Sequence, residues 1–358
     1  MSSATQALIV LSSKDLPDDI SFFVAIGFRQ DRIYPADNPA VAILTGHGLQ
    51  IQLDKGTEPQ PATIHILTDS PESISPDAKT ELFAPNGTKI RVLPKSNKLV
   101  IPPPQLKFEV SLEKDSSWVV GRAGMLYRDL VPSRVGGAFI ASHIHIPNGG
   151  PVPDLVHFHT VRFQLIFCYK GWVKVVYEDQ GEPFVLYPGD CVIQPPEIRH
   201  RVLESGDGLQ VIEIGVPAQH MTTGDHNMEL PTGVHRPERE FNGQRFCHHT
   251  KDNATWSPWR MDGFEFCDTG VSTATKGVAS VLIARPQPNS ISSTSHSIHE
   301  FDIHFTFLLK GNVDVSVEGK ERQALTDGDA FTIPSNVKYE YSNCSNDMEL
   351  LEVSIKSI

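Results

Sequence analysis

Two segments of this chain carry the same spaced pattern of polar and turn-forming residues. The first copy contains, in order, His157, His159, Gln164, Gly171, Pro188-Gly189-Asp190, Pro195 and His200. The second copy contains Ser297, His299, His304, Gly311, Asp327-Gly328-Asp329, Pro334 and Tyr339. Gly171 and Gly311 are 140 positions apart, and Gly189 and Gly328 are 139 apart. A spacing kept across both segments indicates an internal duplication, so the chain is expected to contain two copies of one structural unit.

The pattern of apolar residues predicts that these units are built from β-strands. Short runs of alternating apolar residues recur between turn-forming residues, as in Phe163–Tyr169, Val173–Tyr177, Leu209–Ile214, Phe305–Leu309 and Val313–Val317. The 26 glycines and 27 prolines are spread along the chain, and few segments show helical periodicity. Strands bounded by Gly, Pro, Asn and Asp are typical of a mainly β protein.

The polar residues of the first copy predict a metal site. Alternate side chains of a strand share a face, so His157 and His159 are expected to point together into a barrel. Gln164 begins the neighbouring strand, and His200 returns from the far side. Three imidazoles and one amide oxygen that converge on a point suit a divalent transition metal with open positions.

These motifs resemble those of the cupin superfamily. Its first motif reads G-x5-H-x-H-x3,4-E-x6-G, and its second reads G-x5-P-x-G-x2-H. The first is matched with Gln in place of Glu by His157, His159, Gln164 and Gly171. The second is matched by Gly189, Pro195 and His200, with Glu197 where the motif has Gly. The resemblance covers residues 115–358 and implies two jelly-roll-type cupin barrels (double-stranded β-helices).

The first quarter of the chain predicts a small α+β module. A strand over Ala7–Leu11 precedes a helix that Asp15 or Asp18 would cap, with apolar residues at Ile20, Phe22, Phe23 and Ile26. Hairpins follow, with a turn at Pro85-Asn86-Gly87 before the strand Thr88–Leu93. This order resembles a glyoxalase-like (vicinal oxygen chelate) module. The two strands that hold metal ligands in that family lack His and Glu here, so the resemblance implies packing, dimerisation or a lid.

The expected organisation therefore has four parts. Residues 1–100 form the glyoxalase-like module, and residues 101–218 form the metal-binding barrel after a Pro-rich linker at Pro102-Pro103-Pro104. Residues 219–258 are an irregular connector, and residues 259–358 form the second barrel. That barrel departs from the motif at Ser297, His304 and Tyr339. It is expected to be degenerate and structural, although His296, His299 and His304 offer donors for another geometry.

Several basic residues near the ligands are candidates for substrate binding and catalysis. Arg162, Arg199 and Arg201 flank the ligands, and any that faces inward could clamp a carboxylate or enolate; a position at the surface or rim is the expectation for each one taken singly. His143 and His145 share a face of their strand. They could act as acid–base groups in the pocket, or face a partner subunit.

Three functions stay open at this point. The first is a dioxygenase, with Fe(II) as the expected metal, that cleaves a C–C bond in a phenolic, enolic or diketone-like acid. The second is a redox-neutral isomerase, lyase or hydrolase acting on a hydroxy or sugar acid. Gln164 favours it because a neutral amide ligand leaves the metal more strongly Lewis-acidic and better able to bind anionic oxygens. The third is a non-enzymatic ligand-binding double cupin. Ni, Mn and Zn also suit such ligands.

Composition and charge limit the partners. The formal net charge is −12 without a long basic run, so a nucleic acid is not expected. A small anionic molecule is the expected substrate, because the Lewis-acidic metal would bind anionic oxygens. The apolar stretch Ala7–Leu11 is too short for a signal peptide, and no apolar run reaches the ~20 residues of a membrane span. These features predict a cytoplasmic protein without a membrane partner. The cupin resemblance implies a homo-oligomer.

Overall fold

A computed structural model describes residues 6–25, 27–46, 48–56, 63–74, 80–83, 89–95, 99–105, 107–288 and 296–356. The chain divides into two units. Unit 1 comprises Met1–Val100 with Met221–Asp225, and unit 2 comprises Ile101–His220 with His226–Ile358. No helix in the described part of the chain has the length and apolarity needed to cross a bilayer.

Unit 1 is a mixed sheet with one helix packed against it. Its elements are β1 (Gln6–Ser13), α1 (Leu16–Ala25), β2 (Arg29–Tyr34), β3 (Val41–Gly46), β4 (Leu49–Lys55), β5 (Thr63–Leu67), β6 (Glu81–Phe83) and β7 (Lys89–Leu93). The strands lie in the order β2-β3-β4-β1-β5-β7-β6, with β1 parallel to β4 and β5 parallel to β7.

The predicted helix forms, and its cap is Asp15. The Asp15 carboxylate accepts a hydrogen bond from the backbone N–H of Asp18 at 3.2 Å. Phe23 packs on the core of unit 1, whereas Phe22 is 59% exposed, so the expected apolar stripe is narrower than the sequence suggested. Ile26 and the expected turn at Pro85-Asn86-Gly87 lie outside the described residues.

The first half of unit 2 consists of short strands. They are β8 (Glu109–Ser111), β9 (Val119–Val120), β10 (Leu126–Asp129), β11 (Ile140–Ile146), β12 (Gly150–Pro151), β13 (His157–Thr160), β14 (Phe163–Lys170), β15 (Val173–Tyr177), β16 (Phe184–Leu186), β17 (Cys191–Ile193), β18 (His200–Ser205) and β19 (Leu209–Val216). The next strand, β20 (Met221–Gly224), belongs to unit 1 and pairs with β2.

The second half repeats this arrangement. Its elements are β21 (Glu240–Phe241), β22 (Gln244–Arg245), β23 (Cys247–His249), β24 (Trp256–Pro258), β25 (Phe264–Asp268), α2 (Val271–Ala274), β26 (Ala279–Pro286), β27 (Ile303–Lys310), β28 (Asn312–Val317), β29 (Gln323–Thr326), β30 (Ala330–Thr332), β31 (Tyr339–Ser342) and β32 (Glu349–Ile355).

Each half of unit 2 is a barrel made of two sheets. In the first barrel, strands β16-β15-β18-β13 face strands β17-β14-β19-β11-β10-β9. In the second barrel, strands β29-β28-β31 face strands β25-β26-β32-β27-β30. The prediction of a mainly β chain with two barrels and a small α+β module is therefore confirmed.

The two barrels exchange one strand each. The segment before the first barrel, β8, pairs with β30 of the second, and the segment before the second barrel, β23, pairs with β17 of the first. The sheet of the first barrel therefore includes β23 from outside residues 101–218, and that of the second includes β8 and β24 from outside residues 259–358. Separating the barrels would leave two sheet edges without partners.

Strand alternation divides the side chains of the first barrel between two environments. On β14, Phe163, Leu165 and Phe167 point toward the second barrel and share one buried core with Phe305 and Phe307. On the opposite face of the same strand, Cys168 joins the core inside the first barrel. Gln164 shares the parity of Cys168, so it points into the barrel interior.

Candidate metal centre

Three histidines meet inside the first barrel. His157 and His159 lie on β13, and His200 begins β18, where it pairs directly with His157. One ring nitrogen from each lies within 4.8 Å of the others, and all three residues are buried. Among the described residues, no other group of three His, Cys, Asp or Glu side chains is close enough to share an ion.

Backbone carbonyls fix which ring nitrogens face inward. His157 Nδ1 lies 2.7 Å from the carbonyl oxygen of Leu155, and His200 Nδ1 lies 3.0 Å from that of Ile198. Since a carbonyl only accepts, both Nδ1 atoms carry the proton and both Nε2 atoms present a lone pair. The buried Nε2 of His157 has no hydrogen-bond partner. This is the usual arrangement of imidazoles oriented to bind a metal.

Burial keeps these imidazoles neutral. It lowers the pKa of His200 to about 4 and holds the pKa of His157 well below its usual value, with help from nearby Arg122. Burial and the neighbouring imidazole of His200 lower the pKa of His159 in the same way. A neutral imidazole is the form that binds a metal, so the site needs no proton release near neutral pH.

Gln164 supplies a further oxygen to this interior. Its amide Nε2 donates a hydrogen bond to Oε1 of Glu213 at 2.8 Å, and its buried Oε1 has no hydrogen-bond partner. Its backbone carbonyl accepts a hydrogen bond from the N–H of Gln194, which anchors the residue at the start of β14. The donor set of three imidazoles and one amide oxygen therefore fits a divalent transition metal.

Aromatic residues wall the site. The ring of Tyr177 stacks on His200 with a centroid distance of 5.5 Å, and Phe246 lies 4.7 Å from Tyr177 on the other side. The Tyr177 hydroxyl accepts a hydrogen bond from Gln194 Nε2 at 2.9 Å, and burial raises the pKa of Tyr177. Tyr177 therefore stays protonated and keeps bulk water away from one side of the site.

His220 also reaches the site, although the sequence analysis placed it in the connector. Its ring lies 5.5 Å from that of His159, and its Nδ1 lies 3.0 Å from the carbonyl oxygen of Pro217. A Cβ at Gly215 would lie 3.0 Å from Cε1 of His220, so the missing side chain makes room for this ring. His220 and Glu213 are the site residues that the sequence analysis missed, because neither belongs to the motifs. The inward parity of Glu213 on its strand could have pointed to it.

The backbone explains two positions of the motifs. Gly171 has φ +76°, and a Cβ there would lie 3.0 Å from Cα of Leu209. Glu197, where the second motif has Gly, adopts φ +64°, and its N–H donates to the carbonyl of His159. The motif thus keeps its left-handed turn at this position without glycine.

His143 and His145 lie on the opposite face of the sheet from the site. The register between β11 and β19 pairs Ser142, not His143, with the inward-facing Glu213. His143 is instead buried against Phe307 of the second barrel and hydrogen-bonds with Arg128 and Gln210. The structure therefore corrects their expected position in the pocket. Alternation had shown that they share a face, but not which one.

Arg199, one of the arginines expected to clamp a substrate, lies outside the site. Arg199 stacks on the ring of Phe158 at 4.2 Å, and Phe158 alternates with the two histidines of β13, so this guanidinium lies on the outer face. Arg162 is partly exposed; its N–H donates to Val216, and its carbonyl accepts from Gln244 Nε2. Arg122 enters the barrel instead, where it pairs with the buried Asp154 at 2.5 Å.

The second barrel holds an ion pair in its interior. Arg260 Nη1 donates to Glu352 Oε1 at 2.8 Å, and its Nη2 donates to the same carboxylate and to the Tyr339 hydroxyl. Although burial alone would lower it, Glu352 holds the pKa of Arg260 above its usual value. His299 has both ring nitrogens engaged, with Nε2 bonded to the Ile333 carbonyl and Nδ1 accepting from the Phe301 N–H. The polar atoms of Arg260 and Glu352 are thus bonded to each other, and those of His299 are bonded to the backbone.

A protein-family model described as "Cupin domain" matches residues 282–354, which lie in the second barrel. No curated protein matches the chain in sequence. Among solved structures, an oxalate decarboxylase from Lactobacillus farciminis in complex with formate is 11% identical, with a TM-score of 0.51 over 70% of this chain and 86% of that one. A mutant salicylate 1,2-dioxygenase from Pseudoaminobacter salicylatoxidans is 14% identical, with a TM-score of 0.51 over 72% of this chain and 86% of that one.

A third structure, protein Ylba from E. coli, is 9% identical, with a TM-score of 0.50 over 74% of this chain and 96% of that one. At these identities the likeness concerns the fold alone. The structures match most of the chain, which agrees with two barrels rather than one. The chain therefore contains a segment, residues 282–354, that is similar to a cupin domain, within a fold that is shared with these structures.

Proposed function

We propose that the first barrel is the metal-dependent active site of an enzyme that acts on a small anionic substrate. The observation that carries this proposal is the convergence of three buried, neutral imidazoles, of which His157 presents an Nε2 without a hydrogen-bond partner. None of these ligands carries a charge, so a divalent ion held by His157, His159, His200 and Gln164 keeps its full Lewis acidity. Such an ion attracts carboxylate, phenolate or enolate oxygens.

The leading reaction is an oxygen-dependent cleavage of a C–C bond in a phenolic, enolic or diketone-like acid, with Fe(II) as the metal. The fold shared with a salicylate 1,2-dioxygenase supports this reaction class. Iron would supply the redox chemistry when bound. Tyr177 and Phe246 exclude water from one wall, and the carbonyls of Leu155 and Ile198 hold two of the imidazoles in position.

A redox-neutral isomerase, lyase or hydrolase is the second candidate. It needs a group that can carry a proton beside the bound substrate, and His220 places an imidazole next to His159. The fold shared with an oxalate decarboxylase is compatible with this class. Such an enzyme would act without oxygen and with Ni, Mn or Zn.

Unit 1 resembles a glyoxalase-like module, and we propose that it serves packing, dimerisation or a lid. Its order of strand, helix and three strands, with β1 parallel to β4, supports the resemblance. A cytoplasmic location and a homo-oligomer remain part of this proposal.

Metal analysis of protein purified without chelator or His-tag tests the proposed site. We expect one equivalent of metal per chain, lost in His157→Ala and kept in the matched control His299→Ala from the second barrel. Oxygen uptake with a panel of phenolic and enolic acids that tracks the iron content would support the dioxygenase. Turnover without oxygen would favour the redox-neutral candidate, and a chain that binds no metal after reconstitution would overturn both.

A further inference from the structure

One hydrogen bond in the first barrel decides which end of the Gln164 side chain faces the histidines. We propose that Glu213 is a positioning residue, which fixes the Gln164 amide so that its oxygen is presented to the metal. The proposal rests on the metal site proposed above but on neither candidate reaction. It concerns a residue outside both cupin motifs.

The chemistry of the two groups sets the orientation. A carboxylate only accepts hydrogen bonds, so the amide group 2.8 Å from Oε1 of Glu213 must be the NH2 end of Gln164. The carbonyl oxygen is then turned the other way, where it is buried without a hydrogen-bond partner. An amide nitrogen has no available lone pair, so the flipped side chain would offer the metal no ligand.

The sheet register brings these two side chains together. Gln164 pairs with Gly215, and Ile166 pairs with Glu213, so Gln164 and Glu213 are diagonal neighbours on the inward face. The backbone of Gln164 is itself fixed by the hydrogen bond from Gln194, which leaves the amide torsion for Glu213 to set.

In the second barrel, the residue that corresponds to Glu213 is Glu352, and it has a different partner. Glu352 is 139 positions after Glu213 and occupies the same register, opposite Thr306. There it binds the guanidinium of Arg260. In the first barrel the carboxylate at this position accepts the hydrogen bond of the Gln164 amide, and Arg122 forms an ion pair with Asp154.

Cobalt binding separates this role from a simple effect of charge. The measurement is the Co2+ dissociation constant of metal-free protein, by competition with a chelating dye, together with the Co2+ ligand-field spectrum. Glu213→Gln lets the amide flip, and Glu213→Asp keeps the charge but withdraws the acceptor. We expect both to weaken Co2+ binding about 10–100-fold, the range found for residues that orient metal ligands. Their spectra should match that of Gln164→Ala.

The double variant isolates the path of the effect. In a Gln164→Ala background, Glu213→Gln should change Co2+ affinity by no more than about twofold, because the group it orients is gone. Glu182→Gln removes the same charge from an exposed loop and serves as the control, and melting curves of the metal-free variants check folding. Wild-type affinity in Glu213→Asp, or an undiminished loss in the double variant, would show that Glu213 acts through charge and would overturn the proposal. A wild-type protein that binds no Co2+ would overturn the metal site itself.

Discussion

Replacing Arg260 by methionine tests whether an ion pair fills the second barrel in place of a ligand. The substitution keeps much of the side-chain volume and removes the cation from Glu352, which is 2% exposed. Breaking a buried pair from one side leaves an uncompensated charge and costs about 3–5 kcal/mol. A domain of this size loses about 2–4 °C of melting temperature per kcal/mol, so Arg260→Met should melt about 6–20 °C lower than the wild type.

The stability lost in Arg260→Met is also expected to depend on pH. In the wild type, burial, His299 and the charge of Arg260 hold the pKa of His304 well below its usual value. Without Arg260, His304 can take up a proton and pair with Glu352, 3.4 Å away. Its folded-state pKa then rises, and this adds stability below the unfolded-state pKa of about 6.5 that is lost at higher pH. The deficit of Arg260→Met should therefore be smaller at pH 5.5 than at pH 8.

A matched double variant tests whether the loss of stability comes from the unpaired charge of Glu352. Arg260→Met with Glu352→Leu replaces both charges by apolar groups, and such replacements of buried pairs are neutral or stabilising by about 1–4 kcal/mol. We expect it to melt near the wild type, in thermal scans of the metal-free protein followed by circular dichroism. A single variant within about 1 kcal/mol of the wild type, or a double variant worse than the single, would refute the argument.

Two further substitutions test the site and the surface between the barrels. Gly215→Ala places a methyl 3.0 Å from His220 and should lower turnover while leaving the metal content unchanged; unchanged turnover would show that the His220 ring is not needed. Burial lowers the pKa of His143 to about 3, and the charge of Arg128 adds to this effect. In the unfolded chain the pKa is about 6.5, so between pH 6.5 and pH 3 the unfolded chain binds more protons than the folded one. The folded state therefore loses stability as the pH falls. At pH 5 the loss of stability due to His143 is about 2 kcal/mol. His143→Gln can still bond to Gln210 and Arg128, so it should lose less stability than the wild type between pH 7 and pH 5 in urea titrations. The same pH dependence in both proteins would contradict the lowered pKa of His143.

The local pattern of the sequence predicted the parts of the site that depend on one strand. Alternation placed His157 and His159 on one face, and the turn residues placed His200 opposite them. Glu213 and His220 could not be reached in this way. Their contacts with Gln164 and His159 depend on the register between strands that are far apart in the chain.

The pairing of strands into sheets could not be predicted from the sequence either. The duplication predicted two barrels, but a three-residue strand such as β8 carries no information about which sheet edge it will join. For the same reason, alternation grouped His143 with His145 without saying that their face meets the second barrel. The alternation within a strand predicts which side chains share a face. Whether that face lies against the barrel interior or against the second barrel depends on tertiary packing.

The two barrels show how one duplicated interior can be satisfied in two ways. In both, polar side chains project from corresponding strand positions into a buried interior, where polar atoms need hydrogen-bond or ionic partners. In the second barrel, Arg260 pairs with Glu352 and Tyr339, and His299 is bonded to the backbone. His304 Nε2 has no hydrogen-bond partner there, but it lies 3.4 Å from the Glu352 carboxylate. In the first barrel, the Nε2 of His157 and the Oε1 of Gln164 are left without a partner. Because buried orphan acceptors are costly, a bound cation is the simplest partner that satisfies both atoms at once.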